Sequence, residues 1–160
     1  MKRMLSFITV VALTLVSSSL LLGQTDPFIG TWNLNLTKSK FGTRQPPKSE
    51  TLTADAQGDG STKLSFEGVA ADGSPIAFSL TTNNDGKDSP VSGMGPNGQD
   101  TIAVKRIDPN TSTTISKKAG KVVATTRTVV SKDGKVMTIT SKGVDANGKP
   151  RNIVSVWDKR

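Results

Sequence analysis

The sequence predicts an all-β protein: an antiparallel up-and-down meander of eight to ten strands closed into a barrel. Three observations predict it. First, Gly60, Gly73, Gly86, Gly98, Gly120, Gly134 and Gly148 recur at intervals of 13, 13, 12, 22, 14 and 14 residues, and Asp108-Pro109-Asn110 divides the one long interval. Six of these glycines follow Asp or Asn, and that pairing supplies the positive φ of tight hairpin turns. Second, apolar and polar residues alternate between the turns with the period of a half-buried strand. Third, no stretch after residue 23 carries helical periodicity. Turns at this spacing leave room for one strand each.

The elements follow in order. Lys2 and Arg3 begin the chain, Leu5–Val16 is an apolar run of 12 residues, and Ser17-Ser18-Ser19 and Leu20-Leu21-Leu22-Gly23 come next. This is the layout of a secretory signal peptide, with cleavage expected near Gly23-Gln24. Ser6, Thr9 and Thr14 interrupt the run and make it a poor membrane span. Gln24, not Cys, follows Gly23, so no acyl anchor is expected. The expected organisation is a signal peptide over 1–23 and one domain over 24–160, exported to the periplasm or the outside of a bacterial cell. No later segment is apolar enough to span a membrane.

In the domain, Trp32, Leu34 and Leu36 alternate with Asn33 and Asn35 as the first strand. Lys38–Lys48, with Gly42 and Pro46-Pro47, is expected to be a loop, because proline denies it a helix and most strand pairing. Leu64 and Phe66 mark one later strand, and Ile76, Phe78 and Leu80 mark another. Further strands are predicted at 49–56, 100–107, 111–118, 121–131, 135–142 and 150–158, with a short one through 87–92. Ser92–Gly98, rich in glycine, is expected to be a second loop. Gly68–Pro75 and Gly143–Pro150 share five of eight residues, so one hairpin design is used twice. If Ile76 and Phe78 point inward, their counterparts Arg151 and Ile153 do too, and the same parity carries Ser155 and Trp157 inward. A meander must hide its two edges, and rolling into a barrel does so completely. A two-sheet sandwich would need long crossing connections.

Composition narrows the function. Removing 23 of the 160 residues leaves 137 and takes the formal charge from +8 to +6. The positive charges are dispersed, and none of Phe28, Trp32, Phe41, Phe66, Phe78 and Trp157 sits in a basic cluster, so the stacking platforms of nucleic-acid binders are missing. No nucleic-acid partner is expected. His, Cys and Tyr are absent from the chain after residue 23, which removes the commonest general base, the thiolate nucleophile and the usual zinc ligands. Asp59, Asp72, Asp85, Asp108 and Asp133 fall in turns. Glu50 with Glu67 is the remaining candidate acid–base pair, and nothing in the spacing singles it out. No enzymatic activity, metal or cofactor is expected.

Phe28-Ile29-Gly30-Thr31-Trp32-Asn33-Leu34 resembles the start of the calycin barrels, the superfamily of lipocalins, fatty-acid-binding proteins and avidins, which share Gly-x-Trp at the entry to the first strand. Arg127-Thr128-Val129-Val130, Asp133-Gly134-Lys135-Val136 and Val154–Lys159 resemble the last strands of a fatty-acid-binding barrel. The resemblance implies that Gly30 permits a close backbone approach and that Trp32 plugs one barrel end. It implies a ligand in the interior. The chain departs from the pattern twice. A short proline loop stands where the family has a two-helix lid, and Ser155 and Trp157 stand where it has the Arg-x-Tyr that grips a carboxylate. Arg127 and Arg151 are the candidate substitutes, since an arginine inside a barrel can meet a carboxylate with two hydrogen bonds. Each has two other roles open to it, stacking on Trp32 or exposure at the surface.

The expected function is non-covalent binding of a small apolar or amphipathic molecule by a monomer, with Arg127, Arg151, Ser155, Trp157, Phe66 and Phe78 as candidate ligand contacts. The alternative is a barrel filled by its own side chains that acts through its surface as an envelope or matrix module.

Overall fold

The computed structural model describes residues 26–96, 98–144 and 148–160. The expected export signal, its cleavage point and the centre of the second hairpin copy lie outside the described residues. Eleven strands follow one another: β1 (Gly30–Lys40), β2 (Ser49–Ala56), β3 (Thr62–Val69), β4 (Pro75–Thr82), β5 (Asp85–Pro90), β6 (Ser92–Met94), β7 (Thr101–Asp108), β8 (Thr111–Lys118), β9 (Lys121–Val130), β10 (Val136–Val144) and β11 (Pro150–Lys159). They form a single antiparallel sheet in the order β5-β7-β8-β9-β10-β11-β1-β2-β3-β4-β6. Sequence neighbours pair throughout, except where β11 returns to β1 and at the seam.

The seam explains the extra strand. The predicted short strand through 87–92 is two strands that share one segment. Asp85–Pro90 pairs with β7, and Ser92–Met94 pairs with β4 across Ala77–Ser79. The chain changes partner at Val91, whose N–H donates to the Asp100 carbonyl at 2.9 Å. The two ends of the sheet are thus consecutive pieces of one segment, and the barrel is nearly closed. Gly93 makes the crossing possible: its φ is +86°, and a Cβ there would run into the Ala77 carbonyl. The expected second loop begins only after Met94.

The turns are built as the Asx-Gly spacing implies. Asp59 Oδ1 accepts from the Ser61 amide at 2.9 Å and from its hydroxyl at 2.6 Å, and Asp72 and Ser74 repeat the arrangement. These hydroxyls and amides hold both carboxyls below the ordinary aspartate value. The β8–β9 turn is the exception: Ala119 takes φ +48° with no Asx residue, and the Asp100 carboxylate accepts its N–H at 2.6 Å.

Leu36 departs from the alternation and is 39% exposed. The register with β11 slips between Asn35 and Lys40. Asn35 Oδ1 accepts from the Thr37 hydroxyl and the Lys38 amide, and Ser39 Oγ donates to the Asn35 carbonyl. This bulge breaks the period-two pattern and turns Leu36 outward.

One barrel end is sealed. Gly30 enters β1 at φ +130°, a conformation closed to other residues, and delivers Trp32 to full burial. The indole N–H donates to the Phe28 carbonyl at 2.9 Å, so the ring is buried with its polar atom satisfied. Leu52, Val130, Met137 and Trp157 complete the cluster. Trp32→Ala is expected to lower the unfolding free energy by about 3–5 kcal/mol. Urea titration followed by circular dichroism measures it, and a loss under about 1 kcal/mol would mean that the indole is not the seal.

Candidate functional site

Inside the ring lies a cavity of about 220 Å³. The ladder fixes what faces it. Register pairs Leu52 with Phe66, Phe66 with Phe78 and Leu64 with Leu80, so β2, β3 and β4 present apolar side chains in layers. Phe66 and Phe78 stack with centroids 4.4 Å apart and planes 5° from parallel. Ile102 and Val104 of β7 extend this surface, and Leu80, Ile102 and Val104 pack as a second core cluster.

The two ends differ. At the sealed end the guanidinium of Arg106 lies 4.0 Å from the centroid of the Phe28 ring and grips Asp26 with two hydrogen bonds of 3.0 and 2.7 Å. Phe28 and Arg106 thereby close the cavity floor, and the fork-on-carboxylate geometry fixes the segment before β1. At the other end Arg44, Glu50, Pro96, Gln99 and Arg151 border the cavity. Arg44 comes from the loop between β1 and β2, which has no helix in it, as Pro46-Pro47 predicts.

The candidate contacts separate on this frame. Phe66, Phe78, Arg151, Ser155 and Trp157 all line the cavity. Ser155 and Trp157 are also bonded to each other, the indole N–H donating to Ser155 Oγ at 3.0 Å. Arg127 does not line the cavity: it is exposed on the outer face of β9, a correction to its candidate role. Its neighbours Thr126 and Thr128 take the inward positions, and β9 alternates from Ala124 onward, so residue 127 must point out. Neither arginine stacks on Trp32. That position belongs to Lys159, whose Nζ is 5.0 Å from the ring centroid and donates to the Pro27 carbonyl. Trp32 itself lies beneath the cavity and does not line it.

Glu50 and Glu67 do not form a pair. Glu50 pairs with Gly68 and Thr51 with Glu67, so the two carboxylates fall on opposite faces of the sheet; Glu50 borders the cavity and Glu67 is exposed.

Arg44, Arg106 and a row of inward hydroxyls are absent from the sequence expectations. β8 hides its hydroxyls because its only apolar residue misleads: Ile115 is 40% exposed, while Ser112, Thr114 and Ser116 face the cavity. The available signal was β9, whose Val130 and Ala124 share parity with Thr126 and Thr128.

No protein-family model matches the sequence, and none of the curated proteins matches it. Solved structures do match in shape. The fluorescent protein UnaG aligns with a TM-score of 0.54 at 11% identity, over 83% of this chain and 97% of that one. Its N57Q mutant aligns at 0.55 and 11% identity, over 84% and 96%. The zebrafish ileal bile acid-binding protein complexed with cholic acid aligns at 0.49 and 14% identity, over 84% and 99%. The chain shares the antiparallel barrel fold of UnaG. Gly30 and Trp32 stand at the entry to the first strand, and the segment between β1 and β2 is a proline loop.

Burial pushes the Glu50 carboxyl above the ordinary glutamate value of 4.5, and the charge of Arg44 offsets part of the rise. The folded state therefore holds this proton more tightly than the unfolded chain does. The stability it contributes is full below that ordinary value and is lost as pH rises through the folded value. Glu50→Gln is expected to raise the melting temperature at about pH 7 and to leave it unchanged at about pH 3.5. Equal effects at both pH values would contradict a desolvated carboxyl at the mouth.

Proposed function

We propose that this protein binds one small apolar or amphipathic molecule, non-covalently and without chemistry, in the barrel interior. The observation that carries the reading is the cavity: a sheet closed around 220 Å³ of space, sealed at one end by Trp32 and reached from the other past Arg44 and Arg151. Its volume falls between the ~150 Å³ apolar cavity that accepts benzene and the ~300–1,000 Å³ of drug-sized sites. Apolar burial supplies the affinity, and the few polar groups on the wall fix orientation. Phe66, Phe78, Ser155, Trp157 and Arg151 are the contacts we assign. The unfilled interior favours this reading over a barrel that acts only through its surface.

Trp157 on the cavity wall reports occupancy. Thr126→Phe, which places a ring in the cavity, is expected to abolish the fluorescence response to lipophilic two-ring probes such as naphthalene. Arg127→Ala, on the outer face, is expected to leave it intact. A response that survives Thr126→Phe and vanishes with Arg127→Ala would place binding outside the barrel.

We further propose that the domain works outside the cytoplasm as a monomer. The basic start, apolar run and serine triplet before Gln24 support export. Protein isolated from its source is expected to begin at Gln24 by N-terminal sequencing; a chain that retains Met1 or Lys2 would overturn export.

A further inference from the structure

The cavity wall is divided lengthwise, and the division specifies the ligand. The ring has ten positions, because β5 and β6 occupy one between them. Half-way round from β3 is β9. On β3, β4 and β7 the wall is mainly apolar, with Leu64, Phe66, Phe78, Leu80, Ile102 and Val104, and Thr62 is its hydroxyl. On β8, β9 and β10 it carries Ser112, Thr114, Ser116, Thr126, Thr128 and Ser141, with Ala124, Met137 and Ile139 beside them. The boundary is sharp, for Ile102 pairs with Ser116 and Val104 with Thr114 across the single ladder between β7 and β8. Thr114 in turn pairs with Thr126, Ser112 with Thr128, and Thr126 with Ser141, so the hydroxyls form a contiguous patch three strands wide.

This patch is not consumed by the protein's own structure. Thr126 Oγ1 donates to Ser141 Oγ at 3.2 Å. The hydroxyls of Ser112, Thr114, Ser116 and Thr128 make no side-chain hydrogen bond among the described residues, although Ser112, Ser116 and Thr128 are each at most 8% exposed. No fully enclosed side-chain polar atom among the described residues lacks a partner, so these four hydroxyls open onto the cavity itself. Hydroxyls set in an apolar barrel are costly unless something bonds to them. Valine and alanine would fill the same positions with no such requirement.

Charge is confined to the ends. The charged lining residues are Arg44, Glu50 and Arg151 at the mouth and Arg106 at the floor, the last engaged by Asp26. Between them the wall offers only neutral donors and acceptors, and an ionised group seated there would be desolvated without a counter-charge.

We propose that the cavity selects a rigid molecule of about two or three rings with its oxygen functions along one edge, uncharged within the barrel. Its bare edge lies against β3, β4 and β7 and its oxygenated edge against β8 and β9. A fatty acyl chain, apolar on every side, would leave the hydroxyl patch unbonded and is disfavoured. This rests on the cavity being a ligand site.

The test uses isomers of equal size and composition. Naphthalene-1,8-diol carries both hydroxyls on one edge, and naphthalene-2,6-diol carries them on opposite edges. Calorimetric titration of the folded mature protein is expected to give at least about tenfold tighter binding of the first, the discrimination that one or two cavity hydrogen bonds supply. Thr114→Val with Thr128→Val is expected to erase the preference; Ser112→Ala with Ser116→Ala serves if the first pair fails to fold. Equal binding of the two diols, or a preference that survives both pairs of substitutions, would overturn the divided-wall inference while the cavity remains a binding site. If the diols and naphthalene all fail to bind folded protein, the ligand-binding reading falls and this inference falls with it.

Discussion

Ring closure through one shared segment is the constraint from which the other features follow. An open ten-position sheet would expose two rows of unpaired backbone groups, a template for aggregation. Here one stretch of ten residues, Asp85–Met94, serves both edges, hydrogen-bonding first to β7 and then to β4. Closure forces every strand to choose an inside and an outside, and that choice makes β9 present Thr126 and Thr128 inward and Arg127 outward. It also sets the interior width. Barrels of this strand number either fill with side chains or hold one small ligand, and serines and threonines on β8 and β9 are too small to fill this one.

The sealed end converts the ring from a tube into a cup. Trp32 has its indole satisfied by the Phe28 carbonyl, Phe28 lies under Arg106, and Arg106 is clamped by Asp26. Each link depends on the one before it, so residues 26–32 work as a plug whose apolar mass is aromatic and whose fastening is ionic. The ion pair is partly exposed and worth little by itself; its contribution is to orient the cation over the ring. The mouth has the opposite character, with a desolvated carboxyl and Arg44 on a proline loop. A molecule entering from the mouth passes polar groups first and then meets apolar side chains.

Much of the fold was legible because turn chemistry is local. Asp59, Asp72 and Asp133 mark their hairpins through contacts two residues away, which no distant part of the chain alters, and strands at 49–56 and 111–118 fall where the spacing places them. Features set by distant partners were not legible. The split at Val91 depends on which strand lies on either side, and the outward turn of Leu36 depends on a bulge organised by the Asn35 side chain. The site divides in the same way. Ser155 and Trp157 followed from the parity of the repeated hairpin pattern, and Phe66 and Phe78 from plain alternation. Arg127 failed because threonine gives no sign of facing inward, so the strand's arginine looked as plausible inside as out. Arg106 went unseen because its partners, Asp26 and Phe28, are about eighty positions away.

The central claim is that a nearly closed, hydrogen-bonded ring encloses unfilled space with a largely apolar wall. Crystallography under xenon pressure tests it without any assumption about the natural ligand, because a dry apolar cavity takes up xenon. The account predicts xenon density inside the ring, against Leu64, Phe78 and Ile102. A ring whose interior is packed with its own side chains and takes up no xenon would contradict it.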